Sequence, residues 1–344
     1  MTIPSTFIDR RRILTGGLAL GAALSSRAAW AAIDRPFKMF DAHAHFVSDD
    51  TTKYPMYGLP AAPPRAPTAA PVSPTFPQPS WPMSTADRLH SQPTTAERMF
   101  AWWDANGVES GCGVQYRTAY GVHNDYMLAT ADAHPDRVAP IVILDATDEQ
   151  TPAQLHAWAK SHGIAGIRIT GPAADTAWLD SPQAKRTWAA ANELGLVVVV
   201  MYQPLAVSPS SLNKLAALAG AYPNVDLVLD HIGWPDALGG PNFGLLPEHA
   251  ALAAHKNAYY KFTTMNLNAL DGNKISTSAF LRHAVDTFGA DHILWGSDVG
   301  NSPGPYDVMV NRVVESTAKL TLAERRQVLR DTGRKVFVRG GRHA

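Results

Sequence analysis

Val197-Val198-Val199-Val200-Met201 is apolar at every position. A strand with one face in water alternates apolar and polar residues, whereas a strand covered on both faces has no need to. The run therefore reads as an inner strand of a parallel sheet. Working outward from it, strand-like runs fall at 39–46, 110–116, 138–144, 165–170, 197–202, 225–230, 258–263 and 292–295. Between them lie amphipathic stretches at 96–106, 154–161, 184–194, 212–221, 248–255 and 278–288, where Leu281, Ala284, Val285 and Phe288 show the helical spacing. Gly163, Gly195 and Pro223 punctuate the connections. Eight strands alternating with helices predict a single-domain α/β fold, a (βα)8 TIM barrel spanning 38–340. A last helical pair, 306–317 and 322–330, is expected to cover its outside. No G-x-G-x-x-G follows the first strand, which argues against a dinucleotide-binding sheet.

The 344 residues are 46% hydrophobic and 17% charged, an ordinary globular balance. Lys plus Arg and Asp plus Glu both number 30, which gives no support to a nucleic-acid partner. Residues 1–31 read as an export signal. Arg10-Arg11-Arg12 precedes the apolar run 13–24, and Ala29-Trp30-Ala31 supplies an A-x-A cleavage site. The paired arginines resemble a twin-arginine signal, so the expected address is the periplasm, with only transient contact with the twin-arginine export machinery. The apolar run is shorter than the ~20 residues that a bilayer requires, and no stable membrane insertion is expected. Cleavage after Ala31 leaves a formal net charge of about −3 at pH 7 with His neutral. Cys112 is the single cysteine, so no internal disulfide forms.

Eleven of the 26 prolines fall between Pro55 and Pro93. The loop 48–93 thus reads as an extended insertion directly after the first strand, where a barrel carries its chemistry. A lid and a passive surface excursion are both open readings.

Polar residues gather at the ends of several strand-like runs. In a regular strand, residues two apart share a face, so Asp41, His43 and His45 are expected on one side with His45 nearest the carboxyl end. Such a His-x-His pair can grip a metal or polarise a carbonyl. His231 ends the run 225–230, and Asp298 ends the run 293–297. Read alone, each has a structural explanation, a core histidine bonded to backbone or a turn cap; together on three strands they read as one site. Arg168 is flanked by Ile167 and Ile169, so its guanidinium is either paired internally or aimed at an anionic ligand. Gln115, Tyr116 and Arg117 close the second strand and are further candidates to hold an anion. Lys261, on the seventh strand, has no role assigned.

These residues resemble the amidohydrolase superfamily, in its branch of lactonases similar to 2-pyrone-4,6-dicarboxylate lactonase and sulfomuconolactone hydrolase. The resemblance is carried by Asp41-Ala42-His43-Ala44-His45, Gly166-Ile167-Arg168-Ile169, Leu229-Asp230-His231-Ile232-Gly233, Tyr260-Lys261-Phe262 and Ile293-Leu294-Trp295-Gly296-Ser297-Asp298. It implies that His43 and His45 are the first-strand metal pair, with Asp298 as third ligand. It implies that His231 is the sixth-strand catalytic histidine and Asp298 the group that takes a proton from water. Many members carry a fifth-strand histidine as well, whereas this chain reads Met201-Tyr202-Gln203 there. Tyr202 and Gln203 accordingly join Arg168, Gln115 and Arg117 as substrate-binding candidates. A divalent metal, zinc before manganese, suits the donors, and a metal-free reaction is also open.

The expected activity is hydrolysis of the ester bond of a small anionic lactone by activated water, with a lactone or carboxylic acid as the small-molecule partner. The alternatives are a metal-dependent decarboxylase or hydratase of the same superfamily, or a periplasmic binding protein that has lost its chemistry.

Overall fold

A computed structural model of the chain describes residues 35–57, 85–172, 176–203, 207–238 and 240–338. The expected signal and residues 58–84 of the proline-rich insertion lie outside them. All elements below belong to the unit Phe37–Ala344.

Eight strands form the sheet: β1 (Met39–Ala44), β2 (Val108–Val114), β3 (Val138–Ile143), β4 (Gly166–Pro172), β5 (Val197–Gln203), β6 (Asp226–Leu229), β7 (Ala258–Thr263) and β8 (Ile293–Gly296). They pair in sequence order, each parallel to the next. The sheet closes just past β8. The Asp298 N–H donates to His43 O at 2.7 Å, the His45 N–H donates to Val299 O at 2.9 Å, and Ala44 bridges Val299 in parallel. The closed (βα)8 barrel expected from the alternation is thus present, and all eight strand-like runs contribute a strand.

Local signals set the helices between strands. Pro182–Leu194 starts with Pro at its first turn and Ser181 as cap, whose hydroxyl accepts from the Ala184 N–H at 3.2 Å. It ends at Gly195 with φ +63°, the left-handed conformation that glycine adopts at low cost. The helix Thr264–Gly272 follows β7 without a loop and was not anticipated. Its start is hidden because the Thr263 N–H is capped by the Asn266 side chain, at 3.0 Å, so strand and helix share a boundary residue.

The lower part of the barrel is apolar. Ala42, Cys112, Val114, Ile141, Val199, Val228 and Leu294 form one buried cluster, closed below by Phe40 and Phe337, whose rings stack at 6.4 Å. Cys112 is one of these packing residues. Truncating such a side chain, as in Ile141→Ala, costs about 2–5 kcal/mol. Above this layer, toward the carboxyl ends, the inward positions turn polar.

One sequence expectation fails at β1. The register against β2 slips between Asp41 and Ala44, so one residue of β1 is unmatched. Such a bulge breaks the two-residue alternation. Phe40 and Ala42 face the apolar core, and His43 and His45 both enter the lumen. Asp41 does not share their face. Its carboxylate accepts from the Ser297 N–H at 2.8 Å, the His43 N–H at 3.1 Å and the Tyr306 hydroxyl at 2.9 Å, the last from the outer helix Tyr306–Ser316.

The described flanks of the proline-rich insertion pack against the β2 end of the barrel mouth. Val47, Met56 and Leu89 form a buried cluster with Tyr116, Ala119 and Tyr120. Within the stretch expected to be extended, Thr85–Ser91 is a helix. Arg88 on it donates to Gly300 O at 2.5 Å and Asn301 O at 3.0 Å, tying the insertion to the loop after β8.

Candidate active site

His43, His45, His231 and Asp298, the residues singled out on strands one, six and eight, meet in one buried cluster. His43 Nε2 lies 3.2 Å from His45 Nε2, and each lies 3.4 Å from Asp298 Oδ1. The His231 ring stands 5.3 Å from that of His43, centroid to centroid. All four are at most 1% exposed.

The partners of each ring fix what it presents. His45 Nδ1 lies 2.8 Å from Val114 O, an atom that only accepts, so Nδ1 carries the hydrogen and Nε2 a lone pair. His231 Nδ1 lies 2.7 Å from Thr263 Oγ1, whose own hydrogen is directed to Asn266 Oδ1 at 3.4 Å. Nδ1 is therefore the donor here too, and Nε2 is a buried lone pair with no hydrogen-bond partner. His43 Nδ1 faces the Asp230 carboxylate at 3.4 Å, which again leaves a lone pair on Nε2. Asp298 Oδ2 accepts from Asn301 Nδ2 at 2.9 Å and Ser302 Oγ at 2.7 Å, while Oδ1 has no donor. His43 Nε2, His45 Nε2 and Asp298 Oδ1 thus converge as potential ligand atoms.

The electrostatics agree. Burial holds the His43 imidazole well below its usual range, assisted by the Lys261 charge and opposed by Asp230. Burial likewise lowers His231 to about 4 against the pull of Asp230 and Asp298. Burial pushes Asp298 up, but the His45 hydrogen bond and the neighbouring imidazoles more than reverse it, so the carboxyl sits below its ordinary range. Burial thus favours neutral His43 and His231 beside an ionised Asp298. Such a set, stripped of water, calls for a cation.

A divalent ion fits. Bonds of about 2.0–2.1 Å in tetrahedral geometry set ligand atoms roughly 3.3–3.4 Å apart. The three separations among His43 Nε2, His45 Nε2 and Asp298 Oδ1 are 3.2, 3.4 and 3.4 Å, and these residues form a group able to ligate a metal. The nitrogen and carboxylate donors suit a first-row divalent ion.

Backbone conformation marks the same places. His231, Ile232 and Trp234 have φ of +54°, +55° and +58°, and Asp298 has +58°. Left-handed backbone at non-glycine residues costs about 1–2 kcal/mol each and persists where the surroundings enforce it, often at functional sites. Asn266 Nδ2 donates to His231 O at 2.8 Å and so holds the first of these turns. Neither conformation has a signature in the sequence.

Beneath the histidines lies an ion cluster that sequence reading missed. Asp230 Oδ2 accepts from Arg168 Nε at 2.8 Å, and Asp230 Oδ1 lies 2.9 Å from Lys261 Nζ. Burial raises the Asp230 carboxyl, but Lys261 and Arg168 more than offset this and hold it well below the usual range. Of the two openings left for Arg168, internal pairing is therefore the arrangement present. Asp230 has no distinguishing local signal, since it directly follows β6, a strand only four residues long, and opens the turn that holds His231. A buried Asp at the end of β6, beside a buried Lys on the adjacent β7 and two strands from a buried Arg on β4, is the signal that topology adds.

The remaining substrate-binding candidates divide. Arg117 reaches across the mouth to the Thr170 hydroxyl and is exposed. The Tyr116 ring is tilted 31° against that of His45, centroids 4.5 Å apart, and its hydroxyl donates to Asn301 Oδ1 at 3.0 Å. Gln115 gives its side-chain amide to His123 O, inside the β2 loop. Tyr202 does not join the site. It follows Met201 on β5 by one residue and so points outward, where its ring meets Trp178 at 5.6 Å. β5 ends at Gln203, whose side chain lies outside the described residues.

Comparison with known proteins places this architecture. A curated relative, the L-fucono-1,5-lactonase of Burkholderia ambifaria, is 27% identical over 224 residues, 63% of this chain and 73% of that one. A solved structure assigned as a 2-pyrone-4,6-dicarboxylic acid hydrolase, from Pseudomonas putida, superposes with a TM-score of 0.63 at 20% identity, covering 90% of this chain and 100% of that one. An amidohydrolase of Burkholderia multivorans with bound zinc has a TM-score of 0.63 at 20% identity, covering 88% of this chain and 99% of that one. The profile of the family described as Amidohydrolase matches residues 40–339. With the barrel, the strand-end histidines and the β8 aspartate all inside that match, the chain belongs to the amidohydrolase family.

Proposed function

We propose that the protein is a hydrolase that opens a small anionic lactone with water. The observation that carries this reading is the convergence of His43 Nε2, His45 Nε2 and Asp298 Oδ1 at 3.2–3.4 Å, all three atoms acceptors. The lactonase and pyrone hydrolase among the similar proteins support the choice of substrate class.

His43, His45 and Asp298 would hold a divalent ion, zinc in this reading, in line with the zinc-bound similar structure. When bound, the ion supplies positive charge that polarises the lactone carbonyl and acidifies water. Asp298 takes one proton from the water as its oxygen bonds to the carbonyl carbon. The ring C–O bond then breaks, and Asp298 returns the proton to the departing alkoxide. The product is the open hydroxy acid. Asp298, held below the ordinary carboxylate range, is ionised at neutral pH and able to accept that proton. His231, whose buried Nε2 has no hydrogen-bond partner among the described residues, would orient the attacking water. Arg117, and the edge of Arg168 not turned to Asp230, would hold the substrate's acid group.

The test is a pH-indicator assay over sugar-acid lactones and muconolactone-type acids, with and without chelator. Turnover that falls on chelation and returns with zinc supports the reading, and no turnover of any lactone sinks it. Export to the periplasm rests on residues 1–31 alone and is tested by fractionating cells that express the full chain.

A further inference from the structure

The Asp230–Arg168–Lys261 cluster lies on the side of His43 away from the site. Asp230 is 1% exposed, Lys261 0% and Arg168 4%. Burying three charges is expensive, and replacing such a cluster by apolar packing is often neutral or stabilising. Its position gives a reason for keeping it. Asp230 Oδ1 faces both Lys261 Nζ at 2.9 Å and His43 Nδ1 at 3.4 Å. Arg168 Nε takes the other oxygen at 2.8 Å.

We infer that Asp230 is a positioning residue that fixes the His43 tautomer, with Arg168 and Lys261 holding its carboxylate in register. A carboxylate only accepts, so it holds the hydrogen of His43 on Nδ1 and turns the Nε2 lone pair toward His45 and Asp298. His45 has a backbone carbonyl for this purpose and His231 a hydroxyl. In a second grouping of possible ligands, His43, Asp230 and His231, Lys261 Nζ already stands beside Asp230. The consequence for turnover rests on the hydrolase reading, whereas the tautomer does not.

The replacement Asp230→Asn combined with Lys261→Met makes a sharp test. Arg168 must still be met by an oxygen, so the Asn carbonyl turns to it. The amide nitrogen then sits where Oδ1 was and donates to His43 Nδ1, which moves the hydrogen to Nε2. Imidazole 15N spectra of the full-length protein, with His43 assigned by His43→Gln, read this directly. The wild type is expected to carry hydrogen on Nδ1 and the double variant on Nε2. The double variant is also expected to lose about 10–100-fold in zinc affinity, the usual effect of removing a partner behind a ligand, while Lys261→Met alone keeps the wild-type tautomer. A wild-type His43 protonated on Nε2 overturns the inference even if no variant folds. So does a double variant with unchanged tautomer and zinc affinity. If the tautomer inverts as expected but no lactone is turned over by the wild type, Asp230 keeps its role and the hydrolase reading falls.

Discussion

The Nε2 atoms of His43 and His45 lie 3.2 Å apart, and the other nitrogen of each ring is turned to an oxygen, Val114 O for His45 and Asp230 Oδ1 for His43. Left so, the two lone pairs repel across a gap that also holds Asp298 Oδ1, 3.4 Å from each. A cation converts that repulsion into binding. Zinc is therefore expected to stabilise the fold by about 2.7 kcal/mol at a free concentration 100 times its Kd. Thermal melts with zinc, and with chelator, check this: a midpoint unmoved by either contradicts it.

Asp298 is held by two donors on one oxygen, Asn301 Nδ2 at 2.9 Å and Ser302 Oγ at 2.7 Å. They leave Oδ1 turned to His43 and His45. Asn301→Ala should free the carboxylate to rotate and lower kcat about 10–100-fold, the scale for a group that positions a ligand, with KM changed less than threefold. An equal loss carried by KM would mean that Asn301 meets the substrate instead.

The histidines predict how stability follows pH. His249 is lowered to about 4 by burial, as is His231. In neutral form His249 Nδ1 accepts from the Leu246 N–H at 3.0 Å while Nε2 faces Ile232 O at 3.2 Å. A folded-state value below the unfolded one, near 6.5, means that the unfolded chain binds more protons in between. Stability from each group is then intact above about 6.5 and lost as pH falls toward 4, at up to about 1.4 kcal/mol per pH unit. Asp41, raised by burial, acts in the opposite sense. Urea midpoints of wild type and His249→Gln across pH 4–7 isolate the His249 share: the variant should show the shallower slope, and parallel slopes contradict the assignment.

Asp41 separates fold from chemistry. Both its oxygens accept, from two backbone N–H groups and a tyrosine hydroxyl, and together these join β1 to β8. Asp41→Asn forces an amide against one of those donors and should cost about 1–3 kcal/mol. The folded fraction should keep kcat within about tenfold, because the side chain faces away from the lumen. A loss as large as that of Asp298→Asn would return Asp41 to the site.

Much of this was legible in the sequence. The apolar runs located all eight strands, and β7 coincides with its run at both ends, Ala258–Thr263. The strand-end histidines and Asp298 were legible because a polar group closing an apolar run has few structural excuses. What escaped depends on pairing between distant segments. The β1 bulge arises from register against β2 and β8, so simple alternation put Asp41 on the wrong face. Asp230, Arg168 and Lys261 come from three strands, and only closure brings them together. The Asn301 and Ser302 contacts exist because Asp298 takes a left-handed turn, which no residue pattern announced. Tyr202 was misassigned for the reverse reason: one step along β5 moves a side chain from lumen to helix layer.

The central claim is that Asp298 moves the proton of the attacking water. The direct measurement is the initial rate of lactone opening by proton release for wild type and Asp298→Asn, each checked for zinc content. Asn keeps the shape and can still offer one oxygen to an ion, but it cannot take a proton. The account predicts a fall in kcat of at least about 100-fold, the scale of a lost general base, with KM within a few-fold and zinc retained or restored by added metal. A zinc-loaded variant that opens the lactone at near the wild-type rate would contradict it.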